Sequence, residues 1–207
     1  MHFVGIDLEG VLVPEIWLAL AKKTGIKELK LTTRDVEEYS ELMQIRIEIL
    51  RKNKIKAEKL FDIASDIQPV EGAKEFLEYI RNSYQVIVLS DTFFNLSKPI
   101  FRKLNSPTVF CHRLLVDNNG MISGMNKCAE NHKMLTLEYM KRLNFYTVAV
   151  GDSYNDINML NKADCGILFR TTSEIKKKHP TLFNCQDFNV LREKIDNTFN
   201  NLEDKQK

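Results

Sequence analysis

Asp7 and Glu9 stand two residues apart at the end of the apolar run Phe3-Val4-Gly5-Ile6, with Gly10 directly after them. In a strand, residues two apart point to the same side, with Cα atoms roughly 6.6 Å apart. Like charges held that close repel, and each is costly to desolvate, unless a positive group sits between them. Such a strand ends either in solvent or at a metal. Three further groups bear on the choice. Ser90-Asp91-Thr92 closes a second apolar run, Gly151-Asp152 closes a third with Asn155 and Asp156 just beyond, and Lys133 opens a helical pattern. Singly, such an aspartate reads as a helix cap, the lysine as a surface residue and the serine as part of a turn. In one sheet with parallel strands they would converge on one edge, as an acidic cluster with one lysine and one hydroxyl beside it.

That set suits phosphoryl transfer. Several carboxylates make a hard-oxygen site of the kind Mg²⁺ prefers, and the cation offsets repulsion between carboxylate and phosphate. Asp7 reads as the nucleophile, forming an aspartyl phosphate and splitting one hard displacement into two. Glu9, one step along the strand, reads as the group that protonates the leaving alkoxide and later deprotonates the acceptor. Lys133, the Ser90 hydroxyl and backbone N–H groups would hold the equatorial oxygens. Asp7, Glu9, Asp152 and Asp156 are the expected metal-binding residues.

Convergence requires a particular scaffold. Short apolar runs rich in β-branched residues lie at 2–7, 85–90, 146–151, 165–169 and, more weakly, 182–185, with helical patterns at 71–82, 95–104, 131–143, 155–162, 173–179 and 187–203. Strands apolar on both faces and alternating with helices predict an α/β fold, a doubly wound, mainly parallel sheet with helices on both faces. Residues 14 to 70 carry no strand signal between the first two runs. Pro14 and Gly25 bracket one helix, and Thr32 with Asp35 forms a capping box before apolar residues at helical spacing: Val36, Tyr39, Met43, Ile47 and Leu50. A third helix follows at 56–67. The segment 14–70 is expected to be a helical cap over the carboxyl ends of the strands, with 1–13 and 71–207 forming the core. Residues 110–124 read as a small hairpin flap about an Asn118-Asn119-Gly120 turn, and the polar tail after about residue 200 is expected to fray.

Composition narrows the partners. The 207 residues are 43% apolar and 28% charged, and 30 basic against 28 acidic residues leave a net charge of +2. This balance gives no case for nucleic acid or an anionic membrane. Neither a signal-peptide pattern nor an apolar stretch of membrane-spanning length is present, so a cytoplasmic protein is expected. Cys111, Cys128, Cys165 and Cys185 are scattered, consistent with reduced thiols. A homodimer is compatible with the sequence and not argued by it.

With these residues assembled, the chain resembles the haloacid dehalogenase superfamily of phosphotransferases, and within it the phosphoserine phosphatases. The family's opening D-x-D-x-T/S motif stands as Asp7-Leu8-Glu9-Gly10-Val11, its serine as Ser90, its lysine as Lys133, its G-D-x-x-N-D as Gly151 to Asp156, and its P-x-E-G-A return to the core as Pro69 to Ala73. The resemblance implies a metal held by Asp7, the Glu9 carbonyl and Asp152, with Asp156 in support. It also implies that Glu15 and Arg46 hold the ammonium and carboxylate of phosphoserine and that Asn155 lies beside the phosphate. Ser90, Asp91 and Thr92 complete the expected substrate-binding set. Glu9 replaces the usual second aspartate, and Asp91-Thr92 replaces two glycines. With these departures, "DLEGVLVPEIW" and "LSDTF" look like the bifunctional phosphoserine phosphatase/homoserine phosphotransferase, which passes phosphate to homoserine as well as to water. Another small phosphomonoester as substrate, and a receiver-like signalling domain, are the competing readings.

Overall fold

The computed structural model describes residues 1–32, 35–36 and 38–203. Its centre is β1 (His2–Ile6), flanked in parallel by β2 (Gln85–Phe93) and β5 (Tyr146–Gly151). The parallel order continues through β6 (Cys165–Phe169) to β7 (Phe183–Cys185) on one side and to β3 (Val109–Val116) on the other. β4 (Ile122–Asn126) runs antiparallel to β3 and ends a seven-stranded sheet of order β4-β3-β2-β1-β5-β6-β7. The register pairs Ile6 with Val88 and with Val150. β1, β2 and β5 therefore deliver the segments that follow them to one edge, and the Asp7 N–H still donates to the Val150 carbonyl at 2.9 Å.

Alternation along the strands splits the core into two layers. Phe3, Leu89, Ala149 and Leu168 pack against α6 (His132–Arg142), α7 (Ile157–Lys162) and α8 (Ser173–Lys178). Val4, Ile6, Val88, Val148 and Ile167 face the other way, towards α4 (Ala73–Ser83), α5 (Phe94–Lys103) and α9 (Phe188–Glu203). This is the doubly wound, Rossmann-like α/β arrangement that the sequence predicts.

Between β1 and α4 lie α1 (Ile16–Thr24), a 3₁₀ turn at Lys27–Lys30, α2 (Tyr39–Lys52) and α3 (Ala57–Asp66). Gly25, at φ 76°, ends α1 by donating its N–H to the Ala21 carbonyl. The apolar faces of these helices, including Leu20, Met43, Leu50 and Leu60, join the same buried cluster as the second layer of the core. Two polar ties fasten the segment further. The Ala57 N–H donates to the Gly120 carbonyl at 2.9 Å, and Lys103 Nζ donates to the carbonyls of Ser65 and Ile67 at 2.6 and 2.7 Å.

Four boundaries differ from the sequence reading. β2 runs to Phe93 rather than 90, with a register irregularity after Leu89, so Ser90-Asp91-Thr92 lies on the strand itself. The hairpin is part of the main sheet, because His112 and Leu114 point inward and β3 pairs with β2. The chain at 71–72 precedes its helix, since Gly72 at φ 79° sets the left-handed cap before Ala73. Thr32 and Asp35 do bond: the Thr32 N–H and hydroxyl donate to Asp35 Oδ2 at 2.8 and 3.0 Å. They close a turn rather than start the helix, which begins at Tyr39. Residues 33, 34 and 37 of that stretch, and 204–207 of the tail, lie outside the described residues.

Candidate active site

Lys133 organises the strand ends. It sits in the first turn of α6, is 6% exposed, and its Nζ donates to Asp7 Oδ1 and to Asp156 Oδ1, both at 2.9 Å. Asp91 Oδ2 lies 3.3 Å from the same nitrogen. The other oxygen of Asp156 accepts from the Asp152 N–H, the Ser153 N–H and the Ser153 hydroxyl at 3.0 to 3.2 Å. With both oxygens engaged, Asp156 fixes the loop that carries Asp152. Two glycines make the approach possible. A Cβ on Gly10, which lies at φ 79°, would stand 2.4 Å from the Asp152 carboxyl group, and one on Gly151 would stand 2.4 Å from Asp156 Cβ. The glycine after the D-x-E pair thus exists to let β1 and β5 bring their carboxylates together.

The electrostatics follow from burial. Desolvation, reinforced by Asp156 and only partly offset by Lys133, holds the Asp7 carboxyl well above the usual range. Burial with Asp156 and Glu15 nearby pushes Asp152 up to about 7, and burial beside Glu15 pushes Glu9 up to about 8. Burial alone would raise Asp91 too, but Lys133 and the ring N–H of His112 outweigh it and hold Asp91 well below the usual range. Burial opposes the charge on Lys133, yet Asp156, Asp7 and Asp91 raise its pKa well above the ordinary value. Carboxylate oxygens of Asp7, Asp152 and Asp156 all lie within 4.8 Å of one another. A largely buried all-oxygen donor set whose repulsion Lys133 relieves only in part fits a hard divalent cation such as Mg²⁺.

Beside this cluster lies a cavity of about 260 Å³. Asp7, Glu9, Glu15, Arg46, Ser90, Asp91, Lys133, Asp152 and Asn155 line it, nine of the sequence-predicted residues together. Thr92 does not line it; its hydroxyl is 2.7 Å from the Ser97 hydroxyl, and it serves the β2–α5 junction. Glu9 Oε2 accepts the N–H of Ile16 at 2.8 Å, so the acid is tied to the start of α1. Arg46, 5% exposed, lays its guanidinium 4.3 Å from the centre of the Trp17 ring and donates to the Leu31 carbonyl at 2.7 Å. Its buried Nε has no hydrogen-bond partner among the described residues.

The haloacid dehalogenase-like hydrolase model matches residues 3–164. The chain belongs to that hydrolase family. Among curated relatives, a phosphoserine phosphatase of Pseudomonas syringae pv. tomato is 40% identical over 190 residues, covering 92% of this chain and 80% of that protein. The phosphoserine phosphatase ThrH of Pseudomonas aeruginosa is 41% identical over 180 residues, covering 87% and 88%. A substrate-bound phosphoserine phosphatase complex superposes with a TM-score of 0.76 at 26% identity, over 93% of this chain and 97% of that one.

Four residues of this haloacid dehalogenase-like site escaped the sequence reading in that role. Trp17 gives Arg46 its stacking face. Tyr39, read there as an apolar helix position, donates its hydroxyl to the Asp91 carbonyl at 2.6 Å. His112 and His132, 3% and 8% exposed, both turn a ring nitrogen towards Asp91. A histidine at an inward position of a hairpin strand, and one next to Lys133, were the signals available.

Proposed function

We propose that this chain is a Mg²⁺-dependent phosphoserine phosphatase that also passes the phosphoryl group to homoserine. One observation carries the reading: Lys133 binds Asp7 and Asp156 at the edge of a cavity whose lining also includes Glu15 and Arg46. Asp7 and Asp152 would hold the metal through their carboxylates, with the Glu9 carbonyl as the resemblance implies. When bound, Mg²⁺ supplies positive charge that draws phosphate to a carboxylate cluster.

The protein's own groups divide the remaining work. An Asp7 oxygen attacks phosphorus while the bond from phosphorus to the serine oxygen breaks, and Glu9 gives that oxygen its proton. A water or homoserine hydroxyl then attacks phosphorus, Glu9 takes its proton back, and Asp7 is released. Lys133 and Ser90 hold the phosphoryl oxygens as charge redistributes. The Arg46 guanidinium, stacked on Trp17, faces the substrate carboxylate, and Glu15 faces its ammonium. The segment 14–70 acts as the cap that shields the phosphoenzyme from water, over a core of 1–13 and 71–207. A cytoplasmic location accords with this chemistry; among the described residues no helix is long and apolar enough to cross a membrane.

The deciding assay incubates the protein with phosphoserine and Mg²⁺, with and without homoserine, and follows serine, free phosphate and phosphohomoserine. Serine release matched by phosphohomoserine supports transfer; release matched only by phosphate leaves a plain phosphatase; no release discards the amino-acid substrate. Arg46→Ala is expected to weaken phosphoserine use far more than that of p-nitrophenyl phosphate. Glu9→Asp is expected to shift the ratio of transfer to hydrolysis.

A further inference from the structure

Asp91 is the group this reaction does not account for. It adds a carboxylate beside Lys133, after Asp7 and Asp156, and it lines the cavity in which a phosphoryl group would sit. Phosphate carries negative charge of its own, so a fixed carboxylate one lysine away repels it unless that charge is offset.

Two buried histidines meet Asp91 at one oxygen. His112 Nε2 lies 3.5 Å from Asp91 Oδ1, and His132 Nδ1 lies 3.9 Å from it. The second nitrogen of each ring fixes what the first presents. His112 Nδ1 accepts the Cys128 N–H at 3.1 Å, which leaves the proton of the neutral ring on Nε2, pointing at Asp91. His132 Nε2 lies 3.2 Å from the Ser90 carbonyl, which only accepts, so the neutral ring carries its proton there and turns a bare lone pair towards Asp91. The two residues therefore differ: His112 presents an N–H to Asp91 at 3.5 Å, the outer limit of a hydrogen bond, and His132 presents none. The same tautomer argues against a metal on Asp91, His112 and His132, because the His112 nitrogen that faces the group is already protonated.

The surroundings hold this arrangement in place. The His112 ring lies 5.5 Å from that of Tyr39 in α2 and 6.0 Å from that of Phe93 in β2, centroid to centroid. Tyr39 in turn donates to the backbone carbonyl of Asp91 at 2.6 Å. Asp91 is thus gripped at its carbonyl by the segment above the sheet and at its carboxylate by β3 and α6.

We propose that His112 is a positioning residue of the phosphoryl site: its Nε2–H keeps the Asp91 carboxylate on Lys133 and offsets the charge that would otherwise repel phosphate. This rests on the phosphoryl-transfer reading above. Asp91 orients the Lys133 ammonium, and His112 makes Asp91 tolerable there.

The test is a double-mutant cycle read as the inhibition constant of inorganic phosphate, a quantity that does not depend on the fraction of enzyme that is active. Wild type, Asp91→Asn, His112→Phe and the double variant are compared with p-nitrophenyl phosphate as the reporter substrate. His112→Phe keeps the ring against Tyr39 and Phe93 but removes the donor, and is expected to raise the constant about tenfold. With Asp91→Asn already present, the same change is expected to raise it less than about twofold. His112→Gln, whose side-chain N–H reaches the place of Nε2, is expected to restore most of the loss, and His132→Gln to couple weakly to Asp91. Equal rises in both backgrounds, or a glutamine no better than phenylalanine, would overturn the His112 assignment alone. A wild-type protein that phosphate does not inhibit and that cleaves neither substrate would overturn the phosphoryl-transfer reading, and this inference with it.

Discussion

Helix α6 carries a lysine bonded to aspartate at each end, and the two pairs are built for different ends. Lys133, in the first turn, is almost wholly buried, meets Asp7, Asp156 and Asp91, and places its positive charge at the helix end where the backbone dipole disfavours it. Lys141, in the last turn, lies where the dipole favours a cation and donates to Asp164 Oδ1 at 2.7 Å, with side chains 37% and 30% exposed. The second pair costs little and gains a modest amount; Asp164 also accepts from the Thr147 N–H and hydroxyl at 2.9 and 2.8 Å, tying β5 to the turn before β6. The first combines desolvation, like-charge crowding and an adverse dipole, none of which a stable fold requires. A constellation that costs stability at the one sheet edge where ligands bind is there for chemistry.

The comparison predicts opposite responses to mutation. Asp7→Asn should lower phosphate release by about 10⁴-fold or more while leaving the melting temperature equal or higher, because one of several crowded charges is removed. Parallel kinetics and thermal melts check this; a large fall in melting temperature would mean that Asp7 holds the fold together and would break the contrast. Lys133→Met should cost both. It strands two buried carboxylates, Asp7 and Asp156, and the half-buried Asp91, with an expected loss of about 3–5 kcal/mol in stability and about 10²–10³-fold in turnover. A Lys133→Met protein as stable as wild type would show that those carboxylates take up protons without cost.

How far the sequence reveals this contrast depends on the residue. The sheet edge was legible because the apolar runs of β1, β2 and β5 each end in a first charge, Asp7 and Asp152 just past their strands and Asp91 near the end of β2. Gly10 was visible as a neighbour of the acidic pair, but its reason, the Asp152 carboxyl 2.4 Å from where a Cβ would be, depends on contact between β1 and β5. Thr92 was misjudged for the opposite cause: sequence shows a hydroxyl near the site but not that it pairs with the Ser97 hydroxyl instead of facing the cavity. His112 was missed because it lies on a hairpin that reads as a flap, and only the pairing of β3 with β2 carries its ring to Asp91. Helix α2 begins seven residues after Thr32, because a sound local turn between Thr32 and Asp35 imitates a helix start. Local chemistry was readable; long-range register was not.

The surface pair sets the small end of the scale. Lys141→Met should lower stability by less than about 1 kcal/mol and leave turnover unchanged. Asp164→Asn should cost slightly more, about 1–2 kcal/mol at neutral pH, since it also weakens two bonds to Thr147. Its pH dependence has a definite sign. Burial raises the Asp164 pKa, but hydrogen bonds from Lys141 and Thr147 outweigh it and hold the folded-state value below the ordinary one. The stabilisation from its charge is therefore complete above the unfolded pKa, near 4, and is lost as pH falls through the folded value. Denaturant melts of wild type and Asp164→Asn should differ most at pH 7 and converge as pH drops below about 4. A gap that widens in acid would mean that the neutral form of Asp164 is the favoured one. The two ends of α6 would then share the same electrostatic logic, and the distinction between a pair kept for stability and a cluster kept for chemistry would fail.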